Sequence, residues 1–306
     1  MTINNFTAVK ELLLNNKTTR QTIFKNTFWL AFTEGANKLL KLFLLIYVAR
    51  ILGATEYGKF AFALAFIGLF GLLFDLGLSK IIIKELASDK EKEKEYSSLF
   101  SLKIILGLGT LVLISIGSFF VTPDPLIRKV IWILAGFTLL ENIFSILYAF
   151  FRARQKMEYE AWAKILQAVL MTGFGLFVVF NFPSVENLSY SYLFAITLSL
   201  AIALLFFHFK VYPLSLGWNK NIWRRFLGLS WPLAFGEVFL TIYANTDSVM
   251  LGYLGQITQT GWYSAASRIV GVSMLPSSLI SLAFFPALSS TLNNLQKFQK
   301  SWNFQM

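Results

Sequence analysis

The chain has 306 residues, of which 56% are hydrophobic and only 14% charged, with 32 phenylalanines and a formal net charge of +11. That is too apolar for a soluble domain of ordinary composition, and the apolar residues gather into stretches of about 20, the length that crosses roughly 30 Å of hydrocarbon. With no cysteine and a single histidine, His208, disulfides, thiolate metal sites and histidine-based catalysis are excluded, and no cofactor or metal is expected.

Residues 1–27 are too polar to hold a signal-peptide core and read as a cytoplasmic N-terminal segment, in which Val9–Leu14 reads equally as a short interfacial helix or as part of a mobile tail. Eight apolar spans follow, at about 28–49, 60–83, 99–121, 129–150, 161–182, 189–209, 231–251 and 262–286. The fold class is therefore all-α, a polytopic helical membrane protein. Lys10, Lys17, Arg20 and Lys25 precede the first span. Lys84, Lys90, Lys92 and Lys94 lie in the second connection, Arg152, Arg154 and Lys156 in the fourth, and Lys210, Lys220, Arg224 and Arg225 in the sixth. With Lys297 and Lys300 in the tail, 17 basic residues fall on one side, against Arg50, Lys59, Arg128 and Lys129 on the other. This bias puts the N-terminus and the even-numbered connections in the cytoplasm. Topology thus explains the net charge, which is no sign of nucleic-acid binding. Trp and Tyr residues cluster at both predicted membrane interfaces. The run from Asp89 to Glu95 reads as a solvated inner loop. Gly68, Gly71, Gly107, Gly109, Gly173 and Gly175 are expected to let helices pack closely, and Pro276 to kink the last span.

Part of the chain is repeated. Leu52-Gly53, a polar stretch, Gly58, an aromatic and a long apolar run recur as Leu254-Gly255, a polar stretch, Gly261-Trp262 and a second apolar run. Gly53 and Gly255 are 202 residues apart, and Gly58 and Gly261 are 203 apart. Repetition at that distance points to a two-lobed membrane protein built by duplication. The expected organisation is an N-terminal lobe of six spans over 28–226, the first two helices of a second lobe over 227–290, and a cytoplasmic tail over 291–306. A repeat of this length predicts a chain of more than 400 residues, so the sequence is expected to be the leading part of a longer protein.

Several charges fall where lipid would not tolerate them. Glu34, Lys38 and Lys41 share a stripe about 60° wide on the first span. Each costs roughly 2.5–3.5 kcal/mol near the bilayer centre, while each Leu or Ile returns about 0.3–0.6 kcal/mol. The stripe must therefore face protein or a wet cavity. In one reading Glu34 pairs with Lys38 and Lys41 takes a partner such as Asp75; in the other the stripe lines a polar path. Asp75, Glu141, Glu237, Asp247 and Arg268 are the remaining intramembrane candidates, with Asp247 and Arg268 placed to pair. Lys80, Lys103 and Lys164 lie near inner ends and are expected to snorkel to the surface.

The stretch from Glu34 to Ala87, with Ala49-Arg50-Ile51-Leu52-Gly53, Tyr57-Gly58 and Asp75-Leu76-Gly77-Leu78, resembles the polysaccharide biosynthesis (oligosaccharide flippase, Wzx-type) family of the MOP exporter superfamily. Asn245-Thr246-Asp247-Ser248-Val249-Met250-Leu251-Gly252 and Gly261-Trp262-Tyr263-Ser264-Ala265-Ala266 resemble its seventh and eighth spans. The resemblance covers about residues 25–290. It implies two six-helix lobes around a cleft that opens alternately to either face of a prokaryotic cytoplasmic membrane. The implied cargo is an undecaprenyl-diphosphate-linked oligosaccharide, and other polysaccharide-assembly membrane proteins are the implied partners beside the bilayer itself. Under this resemblance Lys38 and Lys41 engage the diphosphate with Arg268 assisting and Glu34 in the same cavity, while Asp75, Glu141, Glu237 or Asp247 couples movement to H+ or Na+. No catalytic residue is expected. A MATE-like exporter of organic cations is the alternative within transport, and it would need a cleft rich in unpaired acids. A membrane-embedded glycan polymerase or glycosyltransferase would need a sizeable aqueous loop with catalytic groups, and a non-transporting scaffold would not need the charged stripe.

Overall fold

The protein is described by a computed structural model covering residues 19–273. Its helices are α1 (Thr19–Leu69), α2 (Gly71–Asp75), α3 (Leu78–Ser88), α4 (Tyr96–Val121), α5 (Pro125–Ala153), α6 (Met157–Asn181), α7 (Val185–Lys210), α8 (Lys220–Tyr253) and α9 (Ile257–Ser273), with a 3-10 turn at Lys90–Glu95. Every regular element among the described residues is helical. This suits lipid, where backbone groups must be satisfied within the segment.

By length and apolarity, α4 to α8 can each cross a membrane, and the bent unit of α1 with α2 and α3 adds a sixth by the same test. That unit makes two passes, because α1 turns back at Gly53, whose backbone is non-helical at φ 77°, ψ 171°. Lys41 and Leu64 line one cavity, whereas 23 residues of straight helix would hold them about 34 Å apart. The second pass breaks again at Leu76 and Gly77, both left-handed at φ 48° and 74°, before α3. The first seven expected spans thus each find their helix. The eighth begins at Ile257, and its end, with Pro276, Pro286, the Val9–Leu14 stretch and the tail, lies outside the described residues.

Two apolar clusters hold the bundle. Near the Lys/Arg-rich end, Tyr96, Phe144, Phe150, Phe151 and Phe207 pack together, with the Tyr96 hydroxyl donating to the Ile146 carbonyl at 3.0 Å. Toward the other end Phe60, Phe62, Phe66, Leu134 and Leu188 form the second. Large apolar residues that stay exposed, such as Phe120 and Phe209, belong to a lipid-facing surface. Of the glycines expected to bring helices together, Gly68, Gly107 and Gly175 lie against Asn245, Leu139 and Leu44. Gly71, Gly109 and Gly173 instead border open space, so close packing is not their role.

Two expectations at the Lys/Arg-rich end are corrected. The Asp89–Glu95 run is a turn stapled by ion pairs: Glu93 to Arg154, Glu95 to Arg225, and Glu85 to Lys92 at 2.6 Å. Its acids lie among the basic residues that set the topology, so it docks on the bundle. Lys25, read as part of a polar lead-in, is fully buried within α1 and reaches Glu158 at 2.9 Å.

The repeated hairpins meet each other at the opposite end. Gly255 is left-handed like Gly53, at φ 76° against 77°. The hydroxyls of Thr55 and Thr258 are hydrogen-bonded at 2.9 Å. A Cβ on Gly58 would lie 1.9 Å from the Ile257 carbonyl oxygen, and one on Gly261 would lie 2.1 Å from that of Ala54. Each pair matches under a shift of 203 residues: Ala54 with Ile257, Thr55 with Thr258 and Gly58 with Gly261. The contact is therefore a local two-fold in which each copy presents the same surface.

Candidate functional site

The first pass of α1 carries Lys38 and Lys41 roughly 18–23 Å along the helix axis from the reversal at Gly53. Across a cleft stands α9 with Arg268. One cavity, of about 170 Å³, is lined by Lys41, Tyr57, Phe137, Glu141, Tyr192 and Arg268. A second, of about 390 Å³, continues it past Lys38, Lys41, Ser267, Arg268 and Gly271. Lys41, Leu45 and Arg268 border both.

Among the described residues, none of Lys38, Lys41 and Arg268 has an ion-pair partner. Glu141 is the acid on the cavity wall. The Tyr57 hydroxyl, on a side chain only 3% exposed, faces the same space without a hydrogen-bond partner. The cleft thus has three cations, one carboxylate and the phenolic O–H of Tyr57 between apolar walls. Such a site has the chemistry to hold a compact polyanion, because Lys binds phosphate as a point charge and Arg adds a planar fork.

The remaining candidate charges are engaged elsewhere. Glu34 does not pair with Lys38: it faces Lys164 of α6 at 3.4 Å. Lys164 does not snorkel, because it also holds Glu160 at 2.9 Å, and Glu160 is clamped by Arg152 through bonds of 2.7 and 2.6 Å. Asp75 pairs with Lys103 rather than Lys41, and Lys103, only 1% exposed, is buried rather than snorkelling. Lys80 of α3 pairs with Glu237 of α8. Asp247 and Arg268 do not pair: the Asp247 carboxylate accepts the Tyr263 hydroxyl. Of the residues proposed for the site, the structure brings together Lys38, Lys41, Glu141 and Arg268, and sets Glu34, Asp75, Glu237 and Asp247 in separate contacts.

Sequence reasoning missed Tyr57 and Tyr192 as cavity residues. Tyr57 had a signal, since it immediately precedes the repeated Gly58, four residues after the reversal at Gly53, whereas nothing local marks Tyr192.

A family profile described as "Polysaccharide biosynthesis protein" matches residues 23–292. Among curated relatives, the chain is 23% identical over 285 residues to a capsular polysaccharide biosynthesis protein, CapF, of Staphylococcus aureus, covering 90% of this chain and 68% of that one. It is 22% identical to a putative O-antigen transporter of Escherichia coli K12, covering 90% and 67% of the two chains. Among solved structures, a multidrug resistance MATE family transporter of the MOP superfamily in its inward-facing conformation superposes with a TM-score of 0.64 at 13% identity, over 86% of this chain and 66% of that one. The likeness to that structure is one of fold. The chain spans about two thirds of the length of these relatives.

Proposed function

Since the chain belongs to the polysaccharide biosynthesis protein family, we propose that it is a flippase that carries an undecaprenyl-diphosphate-linked oligosaccharide from the inner to the outer leaflet of a prokaryotic cytoplasmic membrane. In this reading the N-terminus is cytoplasmic, residues 28–226 form a six-span lobe, and residues 227–290 begin a second lobe. The observation that carries it is the shared cleft of Lys38, Lys41 and Arg268, three cations without carboxylate partners among the described residues. Apolar residues share the same walls, so an anionic guest would give these cations the partners that the protein does not supply. A diphosphate is such a guest, and the glycan and isoprenoid lie beyond it on either side. No covalent step is needed, only movement of the cargo. The names of the two curated relatives, a capsular polysaccharide biosynthesis protein and an O-antigen transporter, support the same cargo class.

Glu141 supports a refinement. It is the acid facing the cleft, whereas Asp75 and Glu237 are bound in ion pairs. We assign coupling to H+ or Na+ to Glu141. The same acid, on a fold shared with a MATE transporter, also favours the competing reading of an organic-cation exporter.

Export of surface glycan from chromosomal alleles separates the two. Lys41→Ala should lower export by about tenfold or more, with protein level unchanged, if one charge-assisted phosphate contact of roughly 1.5–3 kcal/mol is lost. Full export by Lys41→Ala at normal protein level would overturn the diphosphate role. A cation exporter would lose activity with Glu141→Gln and keep or gain it with Lys41→Ala.

A further inference from the structure

On the outer flank of the bundle, away from the cleft, two cavities adjoin. One, of about 490 Å³, lies at the Lys/Arg-rich end, where Arg154, Lys156 and Lys210 surround it with Glu93 as the acid on its wall. Glu93 is engaged by Arg154. Lys156 and Lys210 have no carboxylate partner among the described residues, and the ammonium of Lys156 lies 5.3 Å from the Tyr159 ring centre. The local charge is therefore positive by two. The other cavity, of about 400 Å³, is an apolar groove between α6 and α7, walled by Tyr159, Trp162, Leu166, Ile202 and Phe206.

Phe151 borders both spaces. Helix geometry lines them up: Ile202, Phe206 and Lys210 recur every four residues along one face of α7. The groove therefore runs about 12 Å from Lys210 toward the bilayer interior. Trp162, Ile202 and Phe206 are 62%, 43% and 41% exposed, so among the described residues no helix covers it.

We infer that this flank holds one anionic glycerophospholipid of the Lys/Arg-rich leaflet, with its phosphate in the cationic cavity and one acyl chain along the α6–α7 groove. Charge complementarity selects the occupant. Basic pockets between transmembrane helices on the cytoplasmic side suit acidic headgroups, and an apolar slot leading from the phosphate site toward the bilayer interior suits an acyl chain and not a soluble phosphate. The trapped lipid would tie α5, α6 and α7 together where Lys25 and Glu158 already join α1 to α6. The inference uses none of the cleft residues and stands apart from the transport reading.

The test is native mass spectrometry of the purified full chain in detergent, supplied with phosphatidylglycerol or with phosphatidylcholine of the same acyl chains, and separately with glycerol phosphate as the bare headgroup. Phosphatidylglycerol should be retained and phosphatidylcholine lost, with glycerol phosphate at the same concentration leaving no adduct. Lys156→Gln and Lys210→Gln should each weaken retention about fivefold, the loss of roughly one surface lysine's attraction to an acidic lipid. Ala203→Trp, which fills the groove, should abolish retention while the melting temperature of lipid-free protein stays as in the wild type. Should that variant misfold, the two glutamine variants decide alone. Equal retention of both lipids, undiminished retention in the lysine variants, or binding of glycerol phosphate as tight as that of the lipid would overturn the proposal.

Discussion

Lys103 sets its ammonium on the carboxylate of Asp75 at 2.5 Å, in the crook where the second pass of α1 breaks before α3. The same ammonium donates to the Ser79 hydroxyl at 3.0 Å and to Ser145 of α5, while Ser79 donates back to Asp75 at 2.6 Å. Three passes are thereby pinned at one point. Buried ion pairs stabilise little against an apolar substitute but strongly resist the loss of one partner.

Lys103→Met should accordingly destabilise the protein by about 3 kcal/mol, the low end of the range for breaking a buried pair because Asp75 remains 30% exposed. The readout is the melting temperature in detergent. The double variant Lys103→Met/Asp75→Asn should recover part of the loss, since no charge is then stranded. A double variant no more stable than the single one would show that the pair itself is not the source.

The Arg152–Glu160–Lys164 cluster predicts a second weak point. Glu160 is 1% exposed and accepts from both cations. Glu160→Gln turns one acceptor into a donor aimed at a guanidinium and should cost about 2 kcal/mol after allowing for the partial exposure of Arg152. Lys164→Met, by contrast, leaves the Arg152 clamp intact and should cost under about 1 kcal/mol.

Because the chain has no cysteine, the Thr55–Thr258 contact can be trapped without background. In Thr55→Cys/Thr258→Cys, an oxidant should form a disulfide within the chain, detected as a mobility shift that reductant reverses. If the cleft opens alternately to either face, the cross-link should also halt glycan export until reduced. Efficient export by the fully cross-linked protein would mean that this contact never parts.

Gly58 and Gly261 predict a steric counterpart. A side chain at either position collides with backbone rather than with a flexible chain end, so α1 and α9 must separate. Gly58→Val in the double-cysteine background should reduce disulfide yield by more than half, and Gly261→Val should do the same. Gly109→Val, which meets open space, is the control and should leave the yield unchanged.

How far the sequence reached depended on the range of the interaction. Span lengths are legible because hydrocarbon thickness sets them locally. Gly53 and Gly255 are legible because a reversal needs a left-handed residue and the chain repeats it. The cationic cleft was half legible: the energy of misplaced charge required Lys38 and Lys41 to face something wet, but not which helix stood opposite. Pairings went astray where tertiary partners outbid neighbours one turn away. Glu34 has Lys38 at i+4, yet takes Lys164, 130 residues on. Lys103 seemed free to snorkel, but its helix turns it inward onto Asp75. The acidic turn at Lys90–Glu95 looked solvated because its basic partners, Arg154 and Arg225, lie far off in the chain.

The two-fold contact at Thr55 and Thr258 also bears on ancestry. A surface that fits a copy of itself is what a symmetric homodimer needs, and one gene suffices to encode it. A hairpin that first paired with its twin would keep that pairing when the gene doubled and fused. Each half could then change on its own, as the unequal charges now carried by α1 and by α8 with α9 attest. The seam is the part such a history leaves least free to vary, since either half must still fit the other.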